Sequence, residues 1–436
     1  MHQAPNIRER LLYYVWKTKN FDHHTLLTVE GKEIEIHQYG IHNMDSGPDF
    51  SNARLTIDGV LWVGHVEMHT RSSDWNTHQH QNDPAYKSVI LHVVFDHDEE
   101  VFDCTGRKLP CLELKSRIPS HILQNYQILL QAQSQIACQN LLTPDSISTF
   151  QIWKYTLVSQ RLIRKCAELQ DQLIKSHQDW ETLLYQQICK YLGGKVNREN
   201  FLTLAQRCDR SILQKNGDDP HKIQALLFGM AGFLDEEHRD IPYAQDLKQT
   251  YDFLQKKYQL KSMDRFTWKF SRMMPAGFPT VRIALLSALL HKHPQLFGHI
   301  RELRHYEDVY ECFKVEAPEF WKQHYHFRKQ SPRAINGISQ ELSHILLINA
   351  VIPILFLFAK STDDLKLQEQ CIDWLDQIPS ENNQIIRKMR TIGFVSKSAA
   401  DSQALIELDT QFCAQKYCAS CAIGAQLIGR KHDSND

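Results

Sequence analysis

The sequence predicts an α+β protein in which an N-terminal α/β core is followed by a long all-α region. In the first third of the chain, apolar residues recur in turn at helical and at strand spacing, whereas from about residue 145 onward the spacing is helical almost throughout. Pro144, flanked by Thr143 and Asp145, is typical of a helix start and marks the change of pattern. We therefore predict two domains, residues 1–140 and residues 141–436.

The elements of the first domain are predicted in the order helix, strand, hairpin, short helix, strand. Asp58-Gly59 follows an alternating segment and is a dipeptide typical of a tight hairpin. A polar, turn-rich segment after the returning strand then leads to an apolar strand. The predicted helix covers residues 7–18, and the predicted strands cover residues 33–37, 53–57, 61–69, 89–95 and 109–114.

The composition excludes two classes of protein. The chain has 436 residues and a formal net charge of −1, so it is neither a globally basic nucleic-acid coat nor an acidic, disordered chain. Contact with an anionic polymer must therefore come from a local patch or from metal ions.

The longest apolar segment, residues 342–359, is interrupted by Ser343, His344, Asn349 and Pro353. A membrane span needs about 20 mostly apolar residues, so this segment predicts a buried helix and no membrane association. The first residues show no secretory signal pattern, and we expect a cytoplasmic protein with reduced thiols.

Two carboxylates are predicted to meet at one end of the hairpin. A hairpin that turns at Asp58-Gly59 pairs residues whose numbers sum to about 117, so Glu67 lies opposite about residue 50 and close to Asp49. His69, two residues after Glu67, faces the same side of the sheet. Two adjacent carboxylates are costly without a cation between them, and oxygen ligands suit Mg²⁺ or Mn²⁺. We predict Asp49 and Glu67 as metal ligands, with Glu9 or Glu35 as a further carboxylate.

Pro48-Asp49, the hairpin and Glu67-x-His69, in this order of elements, resemble the PD-(D/E)xK nuclease superfamily over residues 7–115. The resemblance implies a restriction-endonuclease-like core and metal-dependent hydrolysis of DNA or RNA, with Asp49, Glu67 and His69 as catalytic residues. His69 stands where the superfamily usually has lysine, and histidine can act as a base or a metal ligand near neutral pH. The alternative is a non-catalytic nucleic-acid-binding or scaffold protein that retains the nuclease fold.

The wider chain also resembles an uncharacterised bacterial family, a domain of unknown function. The similarity extends over nearly the whole length and argues that both parts of the chain belong together. The residues that carry it are Gly47-Pro48-Asp49-Phe50, Val66-Glu67-Met68-His69, Ser73-Asp74-Trp75, His78-x-His80, Leu91-His92-Val93-Val94, Leu227-Phe228-Gly229 and Phe278-Pro279-Thr280-Val281-Arg282.

Histidines offer a competing interpretation of the same region. Twelve of the 23 histidines lie within the first 121 residues. His69, His78, His80 and His92 could form a zinc site with Glu67, which would indicate a zinc hydrolase. Otherwise His78 and His80 are expected on a polar helix surface or in a supporting role, and His92 is either a core histidine or part of the site.

Three cysteines near the C-terminus, Cys413, Cys418 and Cys421, form a C-x4-C-x2-C pattern. Three thiolates need a fourth ligand to hold zinc or an iron–sulfur cluster. Cys138 is the predicted fourth ligand, with Cys371 and Cys104 as further candidates. Some PD-(D/E)xK nucleases bind an iron–sulfur cluster through one distant cysteine and three C-terminal ones, and the pattern is similar here. The alternative is a set of free thiols on a terminal helix.

Basic residues of the helical region provide candidate nucleic-acid contacts. Arg272 and Arg282 flank the segment Pro275-Ala276-Gly277-Phe278-Pro279, and we predict them as nucleic-acid-binding residues, with solvated surface as the alternative. Phe228-Gly229-x-x-Gly232 lacks the Lys-Ser/Thr of a phosphate-binding loop and predicts close helix packing instead.

Overall fold

The structure, a computed structural model, describes residues 7–43, 45–234 and 240–431. It divides into two compact units. The first comprises the described residues up to Lys154, Arg387–Phe394 and the described residues from Leu405; the second comprises Tyr155–Ile386 and Val395–Ala404. The C-terminal residues thus pack within the unit that begins the chain.

The first unit is built on a mixed sheet. Along the main path the strand order is β1-β3-β4-β5-β6, and the short strand β2 also pairs with β3. Pairing is antiparallel from β1 through β4 and parallel from β4 through β6. The strands are β1 (Ile34–Gln38), β2 (Ile41–His42), β3 (Phe50–Ile57), β4 (Val60–Arg71), β5 (Val89–Asp96) and β6 (Cys111–Glu113).

The hairpin between β3 and β4 turns at Asp58-Gly59, as predicted. Asp58 and Gly59 both have positive φ angles, 52° and 77°, as a tight turn between twisted antiparallel strands requires. Ile57 pairs with Val60, and the register holds as far as Ala53 and Gly64. There a β-bulge interrupts it, and Ser51 and Asn52 together face one residue of β4. Because of the bulge, Asp49 is level with Glu67.

Helices from both ends of the chain cover the sheet. Apolar side chains of α1, α3 and α19, among them Trp16, Leu129 and Ile428, belong to one buried core together with residues of β3, β4 and β5. The helices of this unit are α1 (Ile7–Thr18), α2 (Asp74–Thr77), α3 (Ser120–Gln131) and α19 (Ala422–Gly429), with short 3-10 helices at His80–Asn82, Pro84–Tyr86 and Cys418–Ser420 and a π-helix at Leu408–Cys413. Three helices, α4 (Pro144–Lys175), α17 (Gln384–Thr391) and α18 (Ala399–Glu407), cross from one unit to the other.

The second unit is helical, as predicted, apart from a two-stranded ribbon formed by β7 (His324–His326) and β8 (Lys329–Gln330). Its helices are α5 (Trp180–Leu192), α6 (Arg198–Arg207), α7 (Arg210–Lys215), α8 (Pro220–Met230), α9 (Pro242–Tyr258), α10 (Pro279–Lys292), α11 (Leu296–Ile300), α12 (Tyr306–Cys312), α13 (Glu319–Gln323), α14 (Gln340–Leu346), α15 (Ile352–Ser361) and α16 (Leu365–Gln377). Short 3-10 helices lie at Arg265–Thr267 and Pro275–Gly277.

Gly229 allows α8 and α9 to pack closely. A Cβ atom on Gly229 would lie 2.2 Å from ring atoms of Tyr251 on α9. The glycine pattern in this segment is therefore a packing feature.

The apolar segment predicted to be a buried helix spans Gln340–Ser361 and is long and apolar enough to cross a membrane. However, 78% of its most apolar window is buried inside the protein, as in a core helix of a soluble protein. A π-helix at Leu347–Val351 joins α14 to α15, directly before Pro353. Because proline lacks an N–H and crowds the preceding turn, this local change of helix type lets the helix continue past it.

Candidate metal centre

Asp49 and Glu67 meet where β3 begins. The Asp49 N–H donates to Glu67 Oε2 at 3.0 Å, and the Met68 N–H donates to Asp49 Oδ2 at 2.9 Å. The first bond joins the two residues directly, and the second fixes the Asp49 carboxylate against β4. Glu67 is only 4% exposed, whereas Asp49 is partly exposed. The pair is therefore buried on the Glu67 side and partly exposed on the Asp49 side.

The basic side chains beside this pair are His69 and His80, whose Nε2 atoms lie 3.7 and 3.5 Å from Glu67 Oε1. Burial raises the pKa of both carboxyl groups, and the Asp49 charge raises the pKa of Glu67 further. Hydrogen bonds from Tyr13 and Met68 act in the opposite direction on Asp49. A pair in this environment is stabilised by a bound cation or by a shared proton.

Helix α1 contributes two further polar side chains. The Tyr13 hydroxyl donates to Asp49 Oδ1 at 2.8 Å. Glu9, one turn earlier, is 5% exposed, and its charge raises the pKa of Glu67. Of the two additional carboxylates that the sequence suggested, Glu9 is thus near the pair, whereas the Glu35 side chain is 73% exposed on β1.

His69 lies beside Glu67 on β4 but is engaged by other histidines. Its Nδ1 is 2.9 Å from His92 Nε2, and its Nε2 is 3.1 Å from His78 Nδ1. Burial, followed by the charges of His92, His80 and His78, lowers the pKa of His69 well below its usual value. His69 is therefore a neutral imidazole whose two nitrogens already have partners.

His80 completes a group of three histidines. Ligand atoms of His69, His78 and His80 all lie within 4.8 Å of one another. His80 Nε2 is also 3.5 Å from Glu67 Oε1, and its ring stacks on Tyr86 with centroids 3.8 Å apart. His78 is exposed, but its ring faces the cluster, so the expectation of a plain polar surface does not describe it.

The sequence indicated these histidines, with His92 and Glu67, as the competing zinc site. His78-x-His80 lies nine residues beyond His69, and the intervening polar segment folds back through α2 and a left-handed residue, Gln79. No simple spacing rule predicts that return. No sequence signal identified Tyr13, because its role depends on how α1 packs.

The four cysteines predicted as ligands lie in the first unit. Cys138 and Cys418 both contact the hydrophobic core of that unit. The Lys416 ammonium group donates to the Leu130 and Ala132 carbonyl oxygens, at 2.8 and 3.1 Å, and so holds the cysteine-bearing loop against the segment after α3. Of the two further candidates, Cys104 is exposed and Cys371 is buried in the second unit.

Electrostatic coupling links the four thiols. Burial is the main cause that raises the pKa of Cys413, and the charges of Cys421, Cys138 and Cys418 raise it further. The pKa of Cys418 rises to about 11 through burial and the charge of Cys138. The four side chains are thus within electrostatic range of one another.

The predicted nucleic-acid contacts lie in the second unit. Arg272 is exposed and has a positive φ of 60°. Arg282 is partly exposed on α10, but its Nε and Nη1 atoms are buried without a hydrogen-bond partner, and burial lowers its pKa to about 10. Their role in binding nucleic acid stays a prediction.

The fold and the site together define a class: an α+β protein whose mixed sheet carries buried carboxylates and clustered histidines at one end of a hairpin. The model of the family described as "Protein of unknown function (DUF2851)" matches residues 9–384, and the chain belongs to this family. No curated protein matches the chain. No solved structure matches it either.

Proposed function

We propose that the protein is a divalent-metal-dependent nuclease that hydrolyses phosphodiester bonds of DNA or RNA. The observation that carries this proposal is the meeting of Asp49 and Glu67 at the start of β3, with their pKa values raised by burial and, for Glu67, also by the Asp49 charge. Such a pair fits Mg²⁺ or Mn²⁺, which prefer carboxylate oxygens.

The order of elements supports the proposal. Asp49 directly precedes β3, Glu67 lies on the adjacent antiparallel strand β4, and β5 continues the sheet parallel to β4. These positions match the Pro-Asp, hairpin and Glu-x-His arrangement on which the resemblance to the PD-(D/E)xK superfamily depends.

In the proposed reaction Asp49 and Glu67 hold the metal, and Tyr13 keeps the Asp49 carboxylate in place through its hydrogen bond. A bound divalent ion lowers the pKa of a coordinated water and offsets charge that develops on the phosphate. Because both nitrogens of His69 have histidine partners, its role is to hold the site together rather than to remove a proton from water.

The test is a cleavage assay of the full chain on single- and double-stranded DNA and RNA, with Mg²⁺ or Mn²⁺. Glu67→Gln removes one ligand charge with little change of shape, and we expect the cleavage rate to fall about 100-fold or more. Glu33→Gln is the matched control, because Glu33 is an exposed carboxylate of the same unit. Cleavage that is unchanged in Glu67→Gln contradicts the proposal. Salt-dependent binding without cleavage, also unchanged in Glu67→Gln, supports the non-catalytic alternative.

The proposal includes a cytoplasmic location and nucleic acid as the partner. Arg272 and Arg282 remain the candidate contacts to its phosphates. Replacing Arg272 by alanine is expected to weaken binding and to lower its dependence on salt concentration, which a fluorescence titration at several salt concentrations measures.

We also propose that Cys138, Cys413, Cys418 and Cys421 hold a structural iron–sulfur cluster, with zinc as the alternative. A tetrahedral zinc site with Zn–S bonds of 2.3 Å places its sulfur atoms ~3.8 Å apart. Among the described residues, however, only the three histidines form a group of ligand atoms within 4.8 Å of one another. The thiols therefore do not all lie at the spacing of a zinc site, and the proposal of an iron–sulfur cluster rests on the cysteine pattern.

Gly424 allows the start of α19 to pack closely against the loop that carries Cys418. A Cβ atom on Gly424 would lie 2.2 Å from the Cys418 carbonyl oxygen, so only glycine lets α19 begin beside the cysteine loop. Burial raises the pKa of Cys421 to about 12, and the backbone N–H groups of Gly424 and Ile423 act in the opposite direction.

The measurement is the iron, acid-labile sulfide and zinc content of anaerobically purified protein, together with its visible spectrum. We expect equal amounts of iron and sulfide, and their loss in Cys138→Ser but not in Cys104→Ser. Stoichiometric zinc without iron selects the zinc alternative, and a chain with neither metal and with freely reactive thiols contradicts both.

A further inference from the structure

We propose that His69, His78 and His80 bind a transition-metal ion of the zinc type, with Glu67 beside His69 and His80. This site adjoins the Asp49–Glu67 position and shares Glu67 with it. That this site binds an ion is inferred from the geometry alone. Only the use of the ion in hydrolysis rests on the proposed nuclease function.

The ligand atoms of the three imidazoles all lie within 4.8 Å of one another, and Glu67 lies close to two of them. His69 Nε2 is 3.1 Å from His78 Nδ1 and 3.7 Å from Glu67 Oε1. His80 Nε2 is 3.5 Å from the same Glu67 oxygen. With metal–ligand bonds of 2.0–2.1 Å, the ligand atoms of a tetrahedral zinc site are ~3.3–3.4 Å apart, so the observed separations bracket the required value.

The two oxygens of Glu67 face different groups. Oε2 accepts the Asp49 N–H, whereas Oε1 faces His69 and His80. Glu67 can therefore act as a carboxylate bridge between an oxygen-rich position at Asp49 and a nitrogen-rich position at the histidines. Imidazole nitrogens favour zinc and related ions over Mg²⁺, so the two positions differ in the metal they select.

His92 contacts the ring nitrogen of His69 that does not face His78. It is fully buried on β5, with its Nε2 2.9 Å from His69 Nδ1. When His69 carries its proton on Nδ1, it donates to His92, and the lone pair on Nε2 is directed toward His78 and Glu67. A hydrogen bond to the second nitrogen of a ligand histidine fixes its tautomer and orientation, and His92 occupies that position here.

Neighbouring rings close the site on one side. Tyr86 stacks on His80, and Trp75 contacts His80 and His92 edge to face or tilted. Trp75 and Tyr86 are both buried. Because His78 is exposed and Asp49 partly so, the opposite side stays accessible to a substrate.

The experiment measures zinc and cobalt binding by the full chain after removal of metals with a chelator. We expect one histidine-dependent equivalent of Zn²⁺ per chain, and Co²⁺ in its place should show the intense visible absorption of a tetrahedral ion without thiolate-to-cobalt charge transfer. His78→Ala and His80→Ala should each lower the zinc affinity by more than about 100-fold, since even supporting residues of a metal site contribute 10–100-fold.

Two control variants separate this site from other zinc ligands. His24→Ala removes an exposed histidine of the same unit, and Cys138→Ser removes a member of the cysteine group; both should leave the histidine-dependent equivalent unchanged. His78 is exposed, so its replacement should not prevent folding, which circular dichroism checks.

Zinc binding that is equal in wild type, His78→Ala and His80→Ala overturns the inference, as does a histidine-dependent part of the cobalt spectrum that is octahedral. Histidine-dependent zinc binding by a chain that cleaves no nucleic acid leaves the inference standing and rejects the nuclease. Cleavage that depends on Glu67, together with zinc binding that does not depend on His78, supports the nuclease and rejects the histidine site.

Discussion

Lys165, in the second unit, has a pKa far below the usual value of a lysine side chain. Its ammonium group lies 3.1 Å from Asn349 Oδ1 and 3.5 Å from Gln403 Oε1, both neutral acceptors. Burial and, second, the nearby charge of Arg161 lower the pKa of Lys165 from 10.5 to about 7. The folded chain therefore releases this proton at a much lower pH than the unfolded chain.

We predict that Lys165 makes stability rise with pH between about 7 and 10. In that window the unfolded state binds more protons than the folded state, so the free energy of unfolding increases by up to about 1.4 kcal/mol per pH unit. Below pH 7 the full cost of the buried charge is present. Urea unfolding of wild type and Lys165→Met at several pH values measures the effect.

Lys165→Met should be more stable than wild type near pH 7, and its advantage should shrink toward pH 10. Lys175→Met, which changes an exposed lysine of the same helix, is the control and should show a constant difference from wild type. A pH-independent difference for Lys165→Met would show that the residue does not titrate in this window.

At the candidate site, residue spacing predicted part of the arrangement and missed the rest. Strand alternation and hairpin arithmetic were sufficient to bring Glu67 close to Asp49, because both rules are local. His78 and His80 reach the site through an irregular turn, and Tyr13 reaches it through the packing of α1. Neither route has a fixed spacing in the sequence.

At the scale of elements, the β3–β4 hairpin followed its local sequence closely. A Cβ atom on Gly59 would meet no heavy atom within 4 Å, yet its φ of 77° lies in the left-handed region. The need for glycine here is therefore conformational rather than steric.

We predict that Gly59→Ala lowers the stability of the hairpin by about 1–2 kcal/mol, the cost of a left-handed conformation for a residue with a Cβ atom. Gly59→Asn should cost less, because asparagine adopts this conformation more readily. Amide hydrogen exchange in β3 and β4 measures both. Equal costs for the two variants would contradict a conformational origin.

Helix packing was less predictable than the hairpin. The glycines near Phe228 indicated a close approach, but only the structure identifies Tyr251 as the side chain that contacts Gly229. The ribbon of β7 and β8 was not predicted, since two such short strands have no clear alternating pattern. Long, periodic segments were predicted well because periodicity is the signal that the sequence carries.

For the molecule as a whole, the main feature is that the end of the chain packs into the unit formed by its beginning. Asn125 on α3 donates to the carbonyl oxygens of Leu427, Ile428 and Arg430 at 2.9–3.3 Å. The cysteine spacing suggested a link between tail and head, but these hydrogen bonds span about 300 residues and have no sequence signature. Whether residues 1–140 fold as an independent domain stays a prediction.

We predict that Ile428→Ala destabilises the first unit by about 2–5 kcal/mol, because Ile428 is fully buried in the core that contains Trp16 and Leu129. Amide exchange in α1 should become faster although the substitution lies more than 400 residues away along the chain. Ile128→Ala, on the half-exposed face of α3, is the control. Unchanged exchange in α1 would mean that the tail does not stabilise the N-terminal helix.

The β-bulge at Ser51 and Asn52 sets the alignment of Asp49 with β4. If the chain kept its length but lost the bulge, the register of Ala53 and Gly64 would continue, and Asp49 would lie level with Met68 instead of Glu67. Since strand side chains alternate, that shift would direct the aspartate to the opposite face of the sheet. A relative with one residue fewer between the aspartate and the turn should therefore lack the bulge, because regular pairing then keeps the aspartate level with the glutamate.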